Sequence, residues 1–266
     1  MNKDIIILGI ESSCDDTSAA ILKNNNVLSN IIANQEIHTK YGGVVPELAS
    51  RAHQKNIVPV IHEALRIAKI DKSEIDAIAY TRGPGLMGSL LVGGSFAKGF
   101  SLALNKPLIS VNHMQGHILS HFINNNLYNP PKFPFLCLTV SGGHTQIVLV
   151  KDFLDMSVIG QTIDDAAGEA FDKSAKVLGL DYPGGPLIDK FSKNGNINAF
   201  KFAKPKIKNL DFSFSGLKTS IMNLINNEKS KNSNFISENL EDLCASIQYS
   251  IAVSYTHLTL PTKSTV

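Results

Sequence analysis

His113-Met-Gln-Gly-His117 places two imidazoles four residues apart. On a helix they share one face, with Cβ atoms roughly 5–6 Å apart, so both rings can reach one metal ion. The same spacing suits a histidine pair that faces solvent or packs against another element. His121 lies one further turn along, about 12 Å from His113 at a 1.5 Å rise per residue, and reads as structural. A metalloprotease of the zincin kind needs Glu directly after the first His, as base on a metal-bound water. Met114 and Gln115 follow His113 here, and neither takes a proton at neutral pH. Metal-assisted hydrolysis is disfavoured by the sequence itself.

Two polar turns could hold an anion. Ser141-Gly142-Gly143 offers backbone N–H groups with no Cβ in the way, as a phosphate needs, but it also suits an ordinary hairpin turn. Glu11 to Thr17 carries three carboxylates, Glu11, Asp15 and Asp16, which repel a bare phosphate. They imply a divalent cation, a base or orienting role, or simply solvated turn residues. Arg82-Gly83-Pro84-Gly85 opens a helix, which makes either an anion site or a tight turn.

Asp165, Glu169 and Asp172 share a helical face, with Lys173 and Lys176 spaced to pair with Glu169 and Asp172. Tyr182-Pro183-Gly184-Gly185-Pro186 reads as a rigid loop, able to lie flat against a planar ligand or to act as a plain turn. Lys190, Lys193, Lys201, Lys204, Lys206 and Lys208 interleave with Phe200, Phe202, Phe212 and Phe214, a pattern that fits RNA contact or a solvated loop.

The elements that position these groups follow from periodicity. Ile5 to Glu11, Ser18 to Leu22 and Val27 to Ala33 read as a strand meander with a polar first turn. Leu136 to Val140 and Gln146 to Val150, joined by Ser141 to Thr145, repeat that plan and hint at a duplication. Pro46 to Ala68 has apolar residues at helical spacing. Asp76 to Tyr80 and Pro107 to Val111 are short strands, and Asn112 to Phe122 is helical. Leu86 to Leu104 reads as a helix despite Gly88, Gly93, Gly94 and Gly99, each costing it roughly 1 kcal/mol against alanine. Close backbone approach must require them. Asp164 or Asp165 is expected to cap a helix running to about Leu178, with Gly179 ending it. Glu238 to Ala252 is a last helix. Asn124 to Pro131 is the best linker candidate, giving lobes 1–128 and 129–253. Residues 254–266 are threonine-rich and aperiodic, and are expected to be a foreign or disordered tail.

At 266 residues the chain can form two compact lobes. Its apolar fraction is 43%, ordinary for a globular protein. No run approaches eighteen consecutive apolar residues, so no membrane-spanning helix is expected. The first residues read as a strand and not as a signal peptide. Cys14, Cys137 and Cys244 have no zinc-knuckle or disulfide spacing, which suggests a reducing cytosol. A formal charge of +2 does not by itself announce a nucleic-acid binder. Arg51, Arg66 and Arg82 are the chain's arginines, so bidentate phosphate forks are scarce.

Read in order, the motifs resemble one family. They are Gly-Ile-Glu-Ser-Ser-Cys-Asp-Asp-Thr (9–17), His38 with Tyr-Gly-Gly-Val-Val-Pro-Glu (41–47), Ala-Ser-Arg-Ala-His (49–53) and Arg-Gly-Pro-Gly-Leu-Met-Gly-Ser-Leu (82–90). Asn-His-Met-Gln-Gly-His (112–117), Val-Ser-Gly-Gly-His-Thr (140–145) and Asp-Asp-Ala-Ala-Gly-Glu-Ala-Phe-Asp-Lys (164–173) follow. Tyr-Pro-Gly-Gly-Pro (182–186) and Asp-Phe-Ser-Phe-Ser-Gly-Leu-Lys-Thr (211–219) close the series. Over about residues 5 to 253 the chain is similar to the bacterial tRNA N6-adenosine threonylcarbamoyltransferases, the TsaD family, formerly described as glycoproteases.

The resemblance implies an α/β fold of the two-lobed actin-like ATPase type, akin to sugar kinases and Hsp70. Its lobes are duplicated mixed sheets with ligand in the cleft between them. It implies a cytoplasmic acyltransferase that moves the threonylcarbamoyl group from threonylcarbamoyl-adenylate to N6 of adenosine 37, in tRNAs reading codons that begin with A. It implies Fe2+ at His113 and His117, with Zn2+ able to replace it in vitro. It implies substrate contacts at Thr139, Val140, Ser141, Gly142, Gly143, Asp172, Gly185 and Asp189, and an acidic residue, Glu11, near the reaction centre. The implied partners are tRNA, the subunits TsaB and TsaE, and a TsaC-type synthase supplying the adenylate from threonine, bicarbonate and ATP; no membrane is implied. The family continues past residue 253 with a Gly-Gly-Val-Ala-Ala-Asn-type loop and an Asp that completes the metal site. Neither is present, so weak metal binding and low activity are expected. Competing readings are a phosphotransferase or ATPase of the same fold, and a non-catalytic partner subunit dimerising through its N-terminal lobe.

Overall fold

The structure is a computed structural model that describes residues 4–124, 129–203, 207 and 209–256. The chain divides into two compact units, Met1–Lys132 and Phe133–Val266. The linker expected at 124–131 falls partly on residues 125–128, and most of the expected tail on 257–266; both segments lie outside the described residues.

The first unit is built on a five-stranded sheet. Strands β1 (Ile6–Glu11), β2 (Thr17–Lys23) and β3 (Asn26–Ala33) form an antiparallel meander. Helix α1 (Pro46–Ala68) and strand β4 (Ala77–Gly83) follow, then helix α2 (Met87–Leu104) and strand β5 (Leu108–Asn112). β4 lies parallel to β1, and β5 parallel to β4, so the order is β3-β2-β1-β4-β5. Each parallel step needs a crossover, which α1 and α2 supply. Alternation on β1 turns Leu8 and Ile10 into the core with Ala19, Ile21 and Ile78, against Ile57, Ile61 and Ala64 of α1. Pro46 starts α1, where its missing N–H costs nothing, and Lys69 ends it in the left-handed conformation. Helix α3 (His113–Leu119) closes the unit, followed by a short 3-10 turn at Ser120–Phe122.

The glycines of α2 have distinct reasons. A Cβ on Gly93 would stand 2.2 Å from Ser12 Oγ, and one on Gly88 2.3 Å from Ser50 Oγ. Those two positions are where the helix meets the Glu11–Thr17 turn and α1. A Cβ on Gly99 would meet nothing within 4 Å, so close approach does not explain that glycine. Against the expectation of no membrane-spanning helix stands one candidate among the described residues, by length and composition alone. α2 has a mean hydropathy of 1.3 over its 18 residues, enough by length and composition to cross a membrane. The expectation counted unbroken apolar runs, and the small residues of α2 interrupt such runs without making the helix polar. Its small-residue face packs against α1 and the sheet, while Met87, Leu91 and Leu102 are exposed.

The second unit repeats the meander. Strands β6 (Phe135–Val140), β7 (Thr145–Val150) and β8 (Met156–Gln161) pair antiparallel in that order. The expected mixed sheet is present in the first unit. Among the described residues the second has this meander and one isolated parallel bridge, Thr162 to Phe212. Helices α4 (Ala167–Leu178), α5 (Gly184–Ser192), α6 (Ser215–Lys229), α7 (Phe235–Glu238) and α8 (Leu240–Thr256) follow. They enclose a core of Ile188, Phe212, Phe214, Leu217, Ile221, Leu243 and Ile247.

Neither Asp164 nor Asp165 caps α4, contrary to expectation; its N-cap is Ala166, with no side-chain cap. Asp164 instead accepts from the N–H groups of Phe214 (2.8 Å) and Ser215 (3.3 Å), at the start of α6. Burial alone would raise its carboxyl, but the Ser213 hydroxyl and these N–H groups hold it below its ordinary value.

Packing distinguishes two of the helix glycines experimentally. Gly93→Ala should destabilise the protein by about 1–3 kcal/mol, because Ser12 and the backbone behind it must move. Gly99→Ala, at an exposed site with free space, should stabilise it by up to about 1 kcal/mol. Urea denaturation of the two variants checks both; a Gly93→Ala protein as stable as wild type would refute the close-packing account.

Candidate functional site

In the first unit, Glu11 ends β1 and Thr81 lies beside it on β4, two positions beyond the Gly9–Ala79 pair. Asn112 ends β5 and caps α3, its Oδ1 accepting from Met114 N (3.0 Å) and Gln115 N (3.1 Å). That cap fixes where α3 begins and so where His113 stands. His113 Nδ1 lies 3.2 Å from Glu11 Oε2 and 3.3 Å from Ser13 Oγ. Glu11 also accepts short hydrogen bonds from the Ser13 N–H and the Thr81 hydroxyl.

These contacts set the state of both groups. Burial would raise the Glu11 carboxyl, but hydrogen bonds from His113, Ser13 and Thr81 outweigh it and hold the group at about 2. Glu11 is therefore an ionised acceptor at neutral pH. Since a carboxylate only accepts, His113 Nδ1 carries the proton and Nε2 presents a lone pair. That lone pair faces His117, whose Nε2 is 3.1 Å from His113 Nε2. Two nitrogens bound to one ion at about 2.1 Å stand roughly 3.0–3.4 Å apart at angles between square and tetrahedral. The pair has that spacing, and a carboxylate on the far ring nitrogen is the usual support of a metal-binding histidine. Among the described residues no group of three or more His, Cys, Asp or Glu is placed to hold a metal. Glu11 backs the pair and does not join it. His121 Nδ1 donates to Ile118 O (3.0 Å), in keeping with the structural reading. His38 is buried, bridging Gln35 Oε1 (2.8 Å) and Val45 N (3.3 Å), and is structural too.

In the second unit, Thr139 and Val140 end β6, and Ser141 to His144 form the turn into β7. Ser141 N donates to His144 O (2.8 Å), and His144 N to Ser141 Oγ (3.0 Å). The turn rests on the first turn of α4: Gly168 N donates to Ser141 O (3.1 Å), and Ala167 N to Thr145 Oγ1 (3.0 Å). A Cβ on Gly168 would stand 2.8 Å from Gly142 Cα, so that glycine permits the contact. Gly142 and Gly143 face open space. The Thr139 hydroxyl is buried, and among the described residues it finds no nitrogen or oxygen partner, with the Cys137 thiol its weak sulfur neighbour.

Asp172 and Gly185 come together, because Asp172 Oδ1 accepts from Gly184 N (2.8 Å) and Gly185 N (3.4 Å). Asp172 thus ties α4 to α5, and no Lys176 pair is needed to explain it. Lys173 makes the expected pair with Glu169 (2.7 Å) and a second with Asp165 (2.6 Å). Asp189, one turn beyond Gly185, is exposed, with its Oδ1 3.3 Å from Gln248 Nε2. Of the loop expected at 182–186, Tyr182 and Pro183 precede the helix and Gly184 to Pro186 are the start of α5; Gly184 serves helix packing, since a Cβ there would stand 2.3 Å from Ala175 Cβ. The lysine–aromatic set does not form a stacking platform. Phe202, Phe212 and Phe214 are buried in the core, while Lys190, Lys193 and Lys201 are exposed. Lys204, Lys206 and Lys208 lie outside the described residues.

Ser13 and Thr81, which bind Glu11, were not singled out from the sequence. Thr81 sits beside Arg82 in a motif, but only the parallel register brings it to Glu11.

A mixed first sheet with two crossovers, followed by a second meander, defines an α/β protein of the actin-like ATPase fold. Component A of the (R)-2-hydroxyglutaryl-CoA dehydratase of Acidaminococcus fermentans superposes with a TM-score of 0.51 at 16% identity, over 96% of this chain and 77% of that one. At that identity the likeness speaks for the fold alone. The family model for tRNA N6-adenosine threonylcarbamoyltransferase, TsaD, matches residues 26–264. A relative of that name from Christiangramia forsetii is 64% identical over 250 residues, which are 94% of this chain and 74% of the relative. Another from Riemerella anatipestifer is 64% identical over 249 residues, or 94% and 73%. The chain belongs to the tRNA N6-adenosine threonylcarbamoyltransferase family.

The Glu11 anion gives a pH signature. Its carboxyl sits at about 2 when folded, against an ordinary 4.5. Its stabilising contribution is therefore present above about pH 4.5 and is lost as pH falls through about 2. Glu11→Gln removes that dependence, so the stability gap between wild type and variant should close over this range. Urea midpoints taken across it measure the gap, and a gap independent of pH would contradict the ionised, triply bonded carboxylate.

Proposed function

We propose that this chain transfers the threonylcarbamoyl group from threonylcarbamoyl-adenylate to N6 of adenosine 37, in tRNAs reading codons that begin with A. The observation carrying this reading is the 64% identity to a named transferase across 94% of the chain. The adenylate is an activated mixed anhydride, so no covalent enzyme intermediate is needed. The N6 amine forms the new bond to the carbonyl carbon, AMP leaves with the bonding pair, and the amine loses a proton. Because that amine is a weak nucleophile, positioning should supply most of the acceleration.

In the first unit, His113 and His117 would hold Fe2+, with Zn2+ as a replacement in vitro. The ion, when bound, supplies a Lewis acid for a carbonyl or phosphoryl oxygen. The 3.1 Å spacing and the protonated Nδ1 fit such an ion, while a further protein ligand would have to come from outside the described residues. Glu11 orients His113 and, held at about 2, does not serve as a base. In the second unit, Thr139 to Gly143 are read as the substrate cradle. The buried Thr139 hydroxyl, with no oxygen or nitrogen partner among the described residues, could accept from or donate to a ligand atom. Gly142 and Gly143 leave room for a phosphate against the turn. Asp172 keeps Gly185 in place and Asp189 offers an exposed carboxylate for the amino acid or ribose part. The exposed Lys190, Lys193 and Lys201 are candidate tRNA phosphate contacts. The assigned partners are tRNA, TsaB, TsaE and a TsaC-type synthase, and the assigned compartment is the cytoplasm.

The test is product formation. Protein, partner subunits, the adenylate and a tRNA transcript are incubated, and threonylcarbamoyladenosine is measured by mass spectrometry of the digested tRNA. His113→Ala and His117→Ala should each lower the yield by at least about 100-fold, with folding intact. Undiminished product from the double variant would refute the metal role, and no product from any form with saturating adenylate would refute the transferase reading. Among the described residues the site offers two imidazoles, and a pair alone should bind Zn2+ weakly by calorimetry; nanomolar affinity would show that a further donor completes the site.

A further inference from the structure

His53 occupies a core position on α1, where periodicity alone would place an aliphatic residue: Ala49, Ile57 and Ala64 share its buried face. It is fully buried, and both ring nitrogens are used. Nε2 lies 3.0 Å from Cys14 O, and Nδ1 2.7 Å from Thr17 Oγ1. A carbonyl only accepts, so Nε2 carries the proton and Nδ1 accepts from the threonine hydroxyl. The second lone pair of Cys14 O takes Ser89 Oγ of α2 at 3.0 Å. Ser12 Oγ donates to Ser89 O (2.9 Å), and Leu86 N to Ser13 O (2.7 Å). The Glu11–Thr17 turn is therefore gripped along one side, at residues 12, 13, 14 and 17, by α1 and α2. Its other side presents the Ser13 N–H and hydroxyl to Glu11 and His113.

We propose that His53 is a positioning residue for the reaction centre: by holding Cys14 O and Thr17 it fixes the turn whose Ser13 and Glu11 keep His113 in the Nδ1–H form, with Nε2 bare toward His117. His53 touches none of the reacting groups. Its effect runs through the backbone, and it rests on the reading of Glu11, His113 and His117 given above. An aliphatic residue would fill the same space, strip the buried Thr17 hydroxyl of its ring partner and leave Cys14 O with Ser89 Oγ alone, which is costly.

The experiment is 15N NMR of the His113 ring in histidine-labelled whole chain, for wild type, His53→Ala, His53→Gln and Ile61→Ala. Wild type should show a protonated Nδ1 and a bare Nε2. His53→Ala should shift both signals toward the averaged position of a mobile imidazole. His53→Gln keeps one donor and one acceptor and should restore the wild-type pattern. Ile61→Ala removes buried side-chain volume from the same face of α1 and should leave the His113 signals unmoved, as a merely structural effect would not. Wild-type signals in folded His53→Ala would overturn the proposal, as would an equal shift in Ile61→Ala. Should His53→Ala not fold, Thr17→Val removes one of the two ring bonds at constant shape; a shifted His113 pattern supports the proposal and an unshifted one overturns it. Transfer yield is measured on the same samples. A chain that makes no modified tRNA but shows the His53-dependent ring pattern refutes the transferase reading alone.

Discussion

The Glu11 carboxylate is a partly buried charge, and the arrangement of the first unit around it follows from that. Such a charge is tolerable where donors replace the lost water, and three converge here: the Ser13 N–H, the Thr81 hydroxyl and the His113 ring. Each comes from a different element. Ser13 requires a tight turn after β1, Thr81 the parallel register of β4, and His113 the capped start of α3. The carboxylate then fixes the imidazole tautomer, and the tautomer decides which nitrogen faces His117. A chain of single-donor, single-acceptor constraints thus runs from the sheet to the histidine pair.

The same turn explains two small residues that otherwise look destabilising. α2 must come close enough for Ser89 to reach the Cys14 carbonyl, and Gly93 is what lets it do so against Ser12. Gly85 plays the equivalent part before the helix, since a Cβ there would stand 2.4 Å from Ser13 O. Helix propensity is given up where a backbone carbonyl has to be held. In the second unit the same geometry recurs with different chemistry. The β6–β7 turn rests on α4 through Gly168, and its own glycines are left facing open space, so the turn offers backbone and not carboxylates.

Much of the fold was legible from periodicity. The bounds of α1 follow from Pro46 at its start and the regular spacing through Ala64, and a strand–polar turn–strand unit was visible twice, although β8 was not read. The missed elements had masked signals. α5 begins Gly184-Gly185-Pro186, which reads as a turn, although proline in a first helical turn is a start signal. α6 hides Leu217, Ile221 and Ile225, an i, i+4, i+8 stripe, among lysines and asparagines. Phe212 and Phe214 looked like stacking residues because burial cannot be read from composition. At the site, Glu11 and the histidine pair were visible as residue types, but Thr81 and Ser13 were not. Their roles depend on register and on turn geometry, which appear only once the strands are paired.

The position after His113 sets this pair apart from a hydrolytic one. In a hydrolytic pair of this spacing a carboxylate stands there and takes a proton from water on the metal. Here Met114 is buried, so the position is used to anchor α3 and an ionisable side chain there would be desolvated at high cost. The nearby carboxylate, Glu11, approaches from the opposite ring nitrogen and is held at about 2, too acidic to take a proton near neutrality. Both routes to a strong base at this centre are closed by packing and by hydrogen bonding. An acyl donor that is already activated asks for no such base at the carbonyl; it asks for orientation of the donor and a place for developing negative charge. Within the first unit, an imidazole pair held by hydrogen bonds and without a base beside it is consistent with such a demand.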